Sequence, residues 1–198
     1  ARGAMKAGAK VLTGCAVRGL EFSAGKVSAV ITEHGAITTQ KVLCAGGAWT
    51  STFCLSIGVP VPQLKVRGTV ARTGPCSEIV NTSLWHKRIG IRPRDDGGYT
   101  VAHGSILDHD ITPSTLRYAP KFIKALRQEW DVLKIHFGAD FFNELRIPNT
   151  WDLDKPSPFE KIRALNPKPN LTVVNEIRKN LDAVFPELTN TPIVESWA

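Results

Sequence analysis

The first forty residues alternate between short hydrophobic stretches and breaks that contain glycine. Apolar side chains recur in residues 16–21, 25–31 and 35–38, and Gly25 and Gly35 mark the breaks between them. Short runs of this kind, bounded by turn residues, are typical of β-strands. The pattern therefore predicts three short strands joined by tight turns.

A fourth hydrophobic run, Lys41 to Cys44, is also predicted as a strand but ends differently. It is followed by Gly46 and Gly47, and a helix is predicted to start near Ala48. Glycine lets a backbone approach a ligand closely, and a helix N-terminus presents free N–H groups to an anion such as a pyrophosphate. A strand followed by a glycine pair and a helix is also a common connection in α/β folds. The pattern is therefore compatible with cofactor contact and with a simple packing turn.

Alternation returns between residues 84 and 104. Ile89 and Ile91 fall on one face of a predicted strand, and the other face carries three arginines, Arg88, Arg92 and Arg94. Residues 95–98, Asp-Asp-Gly-Gly, form a turn signal before a second strand. We expect a hairpin whose first strand has a buried face and a basic, solvated face.

Two later segments have helical periodicity. Residues 119–138 place apolar side chains at three- and four-residue steps, which predicts an amphipathic helix with Trp130 and Phe137 in the core. Residues 174–188 predict a second helix, with these side chains on one face: Val174, Ile177, Leu181, Val184 and Leu188. The proline-rich stretch 148–158 is expected to be irregular, and a strand is expected to end at Trp197.

Composition is compatible with a folded enzyme domain. The 198 residues are 42% hydrophobic, and no apolar run approaches the ~20 residues of a membrane span. The four cysteines lack metal-ligand spacing, so we expect free thiols, buried at Cys44 and Cys54. A net charge of +7 permits a basic nucleic-acid-binding module, but no known nucleic-acid-binding motif accompanies it.

The order of these elements resembles the middle of the flavin-dependent amino acid oxidase superfamily, the group of D-amino acid oxidase, glycine oxidase and sarcosine oxidase. The resemblance is clear near residues 1–104 and again near 171–198. It implies an α+β fold with a mostly antiparallel substrate-binding sheet, flanking helices and part of an FAD-binding region. It further implies a partial FAD-binding region over 1–62 and a substrate-binding domain over 63–198, with a helical insertion near 105–170.

The chain also lacks parts that the resemblance would require. The family opens with a Gly-x-Gly-x-x-Gly turn for the ADP half of FAD, and no such pattern occurs in this sequence. The sequence stops at Trp197-Ala198, before the arginine that in the family holds the substrate carboxylate. We therefore expect an internal fragment of a parent enzyme that binds FAD. The isolated fragment is expected to be inactive and to contain no FAD.

Site residues follow from the resemblance. Val17 lies where the family's main chain meets the adenine, and four residues lie where its strand-to-helix turn lines the cofactor: Ala45, Gly46, Gly47 and Trp49. Trp85 and Gly90 occupy positions of two pocket tyrosines in the glycine oxidase type, with His86 and His103 beside them. The alternative for the first group is core and turn packing, and for the histidines a surface or structural role. The catalytic residues stay unidentified, and no metal site is expected.

The implied activity is oxidation of an amine or amino acid by hydride transfer to flavin. A flavoenzyme acting on another substrate, as the glycerol phosphate dehydrogenases do, and a basic module without enzymatic activity are the alternatives. The expected partner is a small-molecule amine or amino acid, with no nucleic acid and no transmembrane segment, in the cytoplasm. The substrate, the electron acceptor and the oligomeric state stay open.

Overall fold

The computed structural model describes residues 1–198, which divide into two compact units. The first unit contains residues 1–63 and 146–165, and the second contains 64–145 and 166–198. The predicted domain boundary between residues 62 and 63 leaves residues 146–165 out of the first unit. These residues join the first unit through contacts between residues far apart in sequence. The assignment of FAD contact to 1–62 and of substrate binding to 63–198 stays a prediction.

The secondary structure consists of short strands and mostly short helices. The strands are β1 (Val17–Ser23), β2 (Lys26–Thr32), β3 (Gly35–Thr38), β4 (Val70–Thr73), β5 (Leu84–Trp85), β6 (Gly90–Pro93), β7 (Tyr99–Ala102), β8 (Leu107–Asp110), β9 (Leu133–His136) and β10 (Ile193–Trp197). The α-helices are α1 (Arg2–Lys6), α2 (Thr50–Ser56), α3 (Pro113–Tyr118), α4 (Ile123–Gln128), α5 (Ala139–Leu145), α6 (Pro158–Lys161) and α7 (Leu171–Val184).

The first unit is built on an antiparallel sheet in the order β1-β2-β3, which confirms the three predicted strands. Ala24 and Gly25 both have positive φ in the two-residue turn between β1 and β2. Left-handed conformations at both central positions match the right-handed twist of the strands in a tight hairpin. Local turn chemistry and strand alternation therefore agree in this region.

The predicted strand at Lys41 to Cys44 was wrong. These residues belong to no strand, and the Leu43 side chain is 91% exposed. A strand needs a hydrogen-bonded neighbour, and none of the 198 residues pairs with this stretch. The predicted helix start near Ala48 is confirmed, because a 3₁₀ turn at Gly47–Trp49 leads directly into α2.

The second unit contains an antiparallel sheet in the order β10-β4-β7-β6-β5. Its core is formed by side chains of the central strands and of α7: Ala71, Ile91, Val101, Ile177 and Leu181. Strands β6 and β7 pair as the predicted hairpin, and Ile89 and Ile91 are buried. Arg88 was placed wrongly on this strand, since it lies in the turn that precedes β6.

Helix α7 confirms the second predicted helix with shifted ends. Asn170 caps its start by accepting a hydrogen bond from the Thr172 N–H. The helix stops at Val184 because Pro186 lacks an N–H and disfavours the helical conformation at Phe185, which has φ −132° and ψ 78°. The buried face contains Val173 where the periodicity suggested Val174.

The predicted amphipathic helix over 119–138 was wrong beyond Gln128. A 3₁₀ turn and α4 cover 119–128, and Leu133–His136 forms β9, which pairs in parallel with β8. Pairing with a strand far away in sequence overrides the local helical period. Trp130 and Phe137 are 64% and 65% exposed, so their predicted core position was wrong. All four cysteines are free; Cys54 is buried and Cys44 half-buried.

Candidate functional site

The glycine junction forms an exposed turn. Ala45, Gly46 and Gly47 are all exposed, and Gly47 has a φ of 55°, in the left-handed region. Gln63 braces this turn from both of its amide atoms. Its Oε1 accepts the Ser51 N–H at 2.8 Å, and its Nε2 donates to the Gly47 carbonyl at 3.3 Å. The backbone of the turn is therefore open to solvent and held in place by a neighbouring side chain.

Added Cβ atoms distinguish the two glycines. At Gly46 a Cβ would lie 3.5 Å from the Thr50 hydroxyl, which is ordinary van der Waals contact. At Gly47 it would meet nothing within 4 Å, but the left-handed backbone disfavours any side chain there. Steric fit within the chain thus does not require glycine at 46. A backbone-contacting ligand is one physical reason for glycine at this position.

Two further predicted cofactor residues, Val17 and Trp49, also lie in the first unit. Val17 begins β1 opposite Thr32 and is half-buried. Trp49 is half-buried and meets the ring of Phe159 edge-to-face, with 5.3 Å between ring centroids. Phe159 belongs to residues 146–165, which we call the return segment.

The return segment is fastened to β1 beside Val17. The Trp151 indole N–H donates to the Arg18 carbonyl at 2.7 Å. The Arg18 guanidinium makes a bidentate pair with Glu160 at 2.9 and 3.0 Å. Leu153 lies directly over Gly19, where an added Cβ would come within 2.5 Å of its side chain. These contacts join β1 to residues more than a hundred positions away.

A second ion pair fastens the end of the return segment. Arg163 binds Glu33 through two contacts of 2.7 Å, and Glu33 also accepts the Ala16 N–H. Hydrogen bonding from Arg163 lowers the pKa of Glu33 to about 2. Hydrogen bonding from Arg18 likewise lowers the pKa of Glu160 to about 2. Both carboxylates are therefore ionised over the whole physiological range.

The predicted substrate residues lie in the second unit, and the structure brings them together on one part of its sheet. Trp85 pairs across the strands with Gly90, and an added Cβ on Gly90 would lie 2.5 Å from the indole ring. The ring thus covers the glycine directly and would have to move to admit a side chain there. Trp85 is 71% exposed, so it presents an indole surface and is not a core residue of this chain.

The two histidines lie beside this pair. His86 is exposed, and its Nδ1 accepts the Arg88 N–H at 3.3 Å. Gly104 packs so closely against the His86 carbonyl that no side chain fits there. His103 accepts the Ser105 N–H through Nδ1 at 3.1 Å, and its Nε2 lies 3.9 Å from a Glu176 carboxylate oxygen. Burial lowers the pKa of His103, which keeps its ring neutral near neutral pH.

A buried carboxylate organises a separate polar cluster in the second unit. Asp108 is 1% exposed and accepts from His136 Nε2 at 2.6 Å and from Asn170 Nδ2 at 3.1 and 3.2 Å. Asn170 is also the N-cap of α7. Asp108 therefore links β8, β9 and the start of α7, which is an organising role in the fold.

The whole chain matches one protein family. A family model described as DAO, FAD dependent oxidoreductase, covers residues 1–198. The chain belongs to this family. The predicted resemblance and the α+β fold with mostly antiparallel sheets are thereby confirmed.

Several DAO-family proteins are similar to the chain. The L-amino acid deaminase from Proteus myxofaciens, solved in complex with anthranilate, is 34% identical with a TM-score of 0.92, over 99% of this chain and 44% of that one. The L-amino acid deaminase from Proteus vulgaris is 29% identical with a TM-score of 0.89, over 98% and 45%. The mitochondrial sarcosine dehydrogenase of Mus musculus is 41% identical over 111 residues, 54% of this chain and 11% of that protein. The chain thus spans less than half the length of these relatives.

The described residues fit the cofactor that the DAO family uses. Gly46 and Gly47 leave the turn free of side chains, and Gln63 holds its backbone. Helix α2 has only seven residues, so the open backbone of the turn, and not a helix dipole, carries this fit.

None of the helices is long and apolar enough to cross a membrane.

Sequence reasoning missed three groups around these sites. No pattern in the sequence indicated a role for Gln63, because a single glutamine after a proline is common in loops. Phe159 was visible only as an aromatic residue in a proline-rich stretch. The Ser-Pro-x-Glu run at 157–160 is a capping-box pattern that predicts the start of α6, and it could have pointed to the ordered part of the return segment.

Proposed function

We propose that the chain forms the FAD-contacting turn and the substrate-binding sheet of an enzyme that oxidises an amino acid or amine. The observation that carries the proposal is the likeness to the Proteus myxofaciens deaminase along almost the whole chain, at 34% identity. The deaminase name and the sarcosine dehydrogenase name both describe enzymes acting on amino acids. They favour this substrate class over a glycerol phosphate.

On the cofactor side, Val17 and four residues of the turn would hold FAD: Ala45, Gly46, Gly47 and Trp49. The exposed backbone of the turn supports this assignment, because it offers N–H and C=O groups without a side chain in the way. When bound, FAD would supply a two-electron acceptor, which takes a hydride from the carbon that bears the amine. The protein's contribution is to orient the substrate and to exclude water.

On the substrate side, Trp85 and Gly90 would form one wall of the pocket. An exposed indole over a bare glycine offers a flat apolar surface of the kind that lines ligand sites. His86 and His103 would flank this wall. The His103 ring is neutral near neutral pH, so its Nε2 carries the proton when Nδ1 accepts from Ser105. It would therefore act as a hydrogen-bond donor and not as a base.

Flavin content tests the cofactor assignment. In the complete protein, Gly46→Val should reduce bound flavin strongly while the unfolding midpoint changes little, because the chain itself leaves room for this side chain. Gly68→Val is the matched control, since an added Cβ at Gly68 meets nothing within 4 Å and one at Gly46 makes only ordinary van der Waals contacts. Equal flavin content in wild type and Gly46→Val would refute contact between this turn and FAD.

Substrate class is tested by steady-state kinetics over L- and D-amino acids, N-methyl amino acids and glycerol phosphate. Turnover of an amino acid with either a primary or an N-methylated amine supports the proposal. Turnover of glycerol phosphate alone would refute it and favour the alternative flavoenzyme class.

A further inference from the structure

We propose that the return segment positions the FAD-contacting turn relative to the start of β1, and that Phe159 is the positioning residue. The inference rests on the proposed function, because it takes Val17 and the Ala45 to Trp49 turn as FAD contacts. All of the contacts that carry it lie within the first unit.

Phe159 contacts the turn through its last residue. Its ring meets Trp49 edge-to-face, with 5.3 Å between centroids and 81° between ring planes. It also meets Phe53 of α2 at 6.1 Å. Edge-to-face contacts of this kind have a preferred geometry in addition to their buried area. The orientation of Trp49, two residues after Gly47, is therefore tied to Phe159.

A second contact of Phe159 connects it to β1. Its ring meets Trp151 edge-to-face at 5.3 Å and 83°, and the Trp151 indole N–H donates to the carbonyl of Arg18. Arg18 directly follows Val17 in β1. One phenyl ring thus contacts both an indole that is part of the turn and an indole bonded to β1.

Phe159 is itself held by the start of α6. Ser157 and Glu160 form a reciprocal capping box, with the Ser157 N–H donating to Glu160 at 2.7 Å, and Pro158 occupies the first turn. Glu160 also holds the guanidinium of Arg18. The Phe159 backbone is therefore fixed by contacts that involve no ligand, as preorganisation of a binding site requires.

Loss of this ring should loosen the turn without unfolding the chain. Phe159→Ala removes both edge-to-face contacts, so the turn samples arrangements in which it is not placed for FAD. We expect the FAD dissociation constant to rise about tenfold. Phe159→Tyr keeps the ring and should bind FAD like wild type. Phe159→Leu keeps much of the volume but loses the ring edge, so it should fold well and still bind FAD more weakly.

The experiment titrates the flavin-free complete protein with FAD, following flavin fluorescence and the visible circular dichroism of the bound flavin, with the melting temperature of each flavin-free variant. Phe141→Ala is the matched control. Phe141 is a half-buried phenylalanine of the second unit that meets Phe137 and Phe142 at 5.3 and 5.6 Å. The Phe141→Ala variant should have a lower melting temperature and an unchanged affinity for FAD. Weaker FAD binding and altered dichroism in the Ala and Leu variants, with rescue by Tyr, support the positioning role.

Three results would overturn it. Wild-type affinity in Phe159→Leu refutes positioning, whether or not Phe159→Ala folds, and leaves the proposed function intact. An equal loss of affinity in Phe141→Ala reduces the effect to general packing. Failure of the wild-type protein itself to bind FAD would refute the proposed function and the positioning role with it.

Discussion

At the scale of single residues, Trp85 is unusual because a large indole lies exposed over a glycine. Truncation of a core tryptophan to alanine lowers the free energy of unfolding by about 3–5 kcal/mol. An exposed side chain usually contributes within about 0.5 kcal/mol. The exposure of Trp85 separates its effect on the substrate from its effect on the fold.

We expect Trp85→Ala in the complete protein to change relative kcat/KM among substrates while the melting temperature and flavin content stay near wild type. The physical reason is that the indole is 71% exposed and packs mainly on Gly90. Kinetics over a panel of amino acids and N-methyl amines, with a melting curve, measures both. An unchanged order of substrates with a large fall in melting temperature would return Trp85 to a structural role.

Gly90 and Gly104 should respond differently to alanine. At Gly104 a Cβ would overlap the His86 carbonyl, so the backbone must move, and we expect a loss of roughly 1–3 kcal/mol of unfolding free energy. At Gly90 the Cβ meets only the Trp85 ring, which is exposed and can rotate away. Urea unfolding of both variants compares them.

The double variant Trp85→Ala/Gly90→Ala provides the control for this comparison. Any loss caused by Gly90→Ala alone should largely disappear when the indole is absent, because the two residues are direct neighbours. Additive losses in the double variant would show that the indole is not what restricts Gly90.

At the scale of elements, the parallel pair β8 and β9 and the start of α7 share one buried carboxylate. Asp108 accepts hydrogen bonds from His136 and Asn170 and is almost fully buried. The segment that periodicity predicts as one long helix is thus partly a strand. This strand, β9, pairs with β8, and the Asp108 carboxylate of β8 also accepts a hydrogen bond from His136 of β9.

We expect Asp108→Ala to lower the free energy of unfolding by at least about 2 kcal/mol, since it leaves the polar groups of two partners without their acceptor. Asp152→Ala is the matched control, because Asp152 pairs with Lys155 and both side chains are mostly exposed. That variant should change stability far less, because water screens an exposed ion pair. Chemical unfolding decides between them, and equal losses would contradict the role of Asp108.

At the scale of the whole molecule, acid should weaken the first unit through two carboxylates. Glu33 and Glu160 each have a folded-state pKa of about 2, below the ordinary value of 4.5. A lowered carboxyl pKa stabilises the folded state above the ordinary value, and this contribution is lost as the pH falls from about 4.5 toward 2. The stabilising contributions of the two ion pairs that fasten the return segment are therefore lost over the same pH interval.

We expect the double variant Glu33→Gln/Glu160→Gln to be less stable than wild type at neutral pH and equally stable near pH 2. Unfolding free energies measured across this range test the prediction. A constant difference between the double variant and wild type down to pH 2 would show that folding does not lower the pKa of these two carboxyl groups.

The sequence by itself determined the features whose pattern is local. Alternation and turn residues are properties of a few consecutive positions, so β1 to β3, the hairpin of β6 and β7, and α7 could be predicted from them. The Gly46-Gly47 turn could be singled out in the same way, whereas Trp85 was singled out only through the resemblance to the amino acid oxidase superfamily. The helix predicted through Leu133 failed because the hydrogen bonds to β8 depend on residues that periodicity does not include.

Only the tertiary structure decided how distant residues meet. The Arg18 and Glu160 pair joins positions 142 apart, and Phe159 contacts both Trp49 and Trp151. The exposure of Trp85 and the contact of Gly104 with His86 likewise depend on how strands pair. Local propensity is a property of neighbouring residues. These contacts arise from where the chain returns, so no pattern along the sequence contains them.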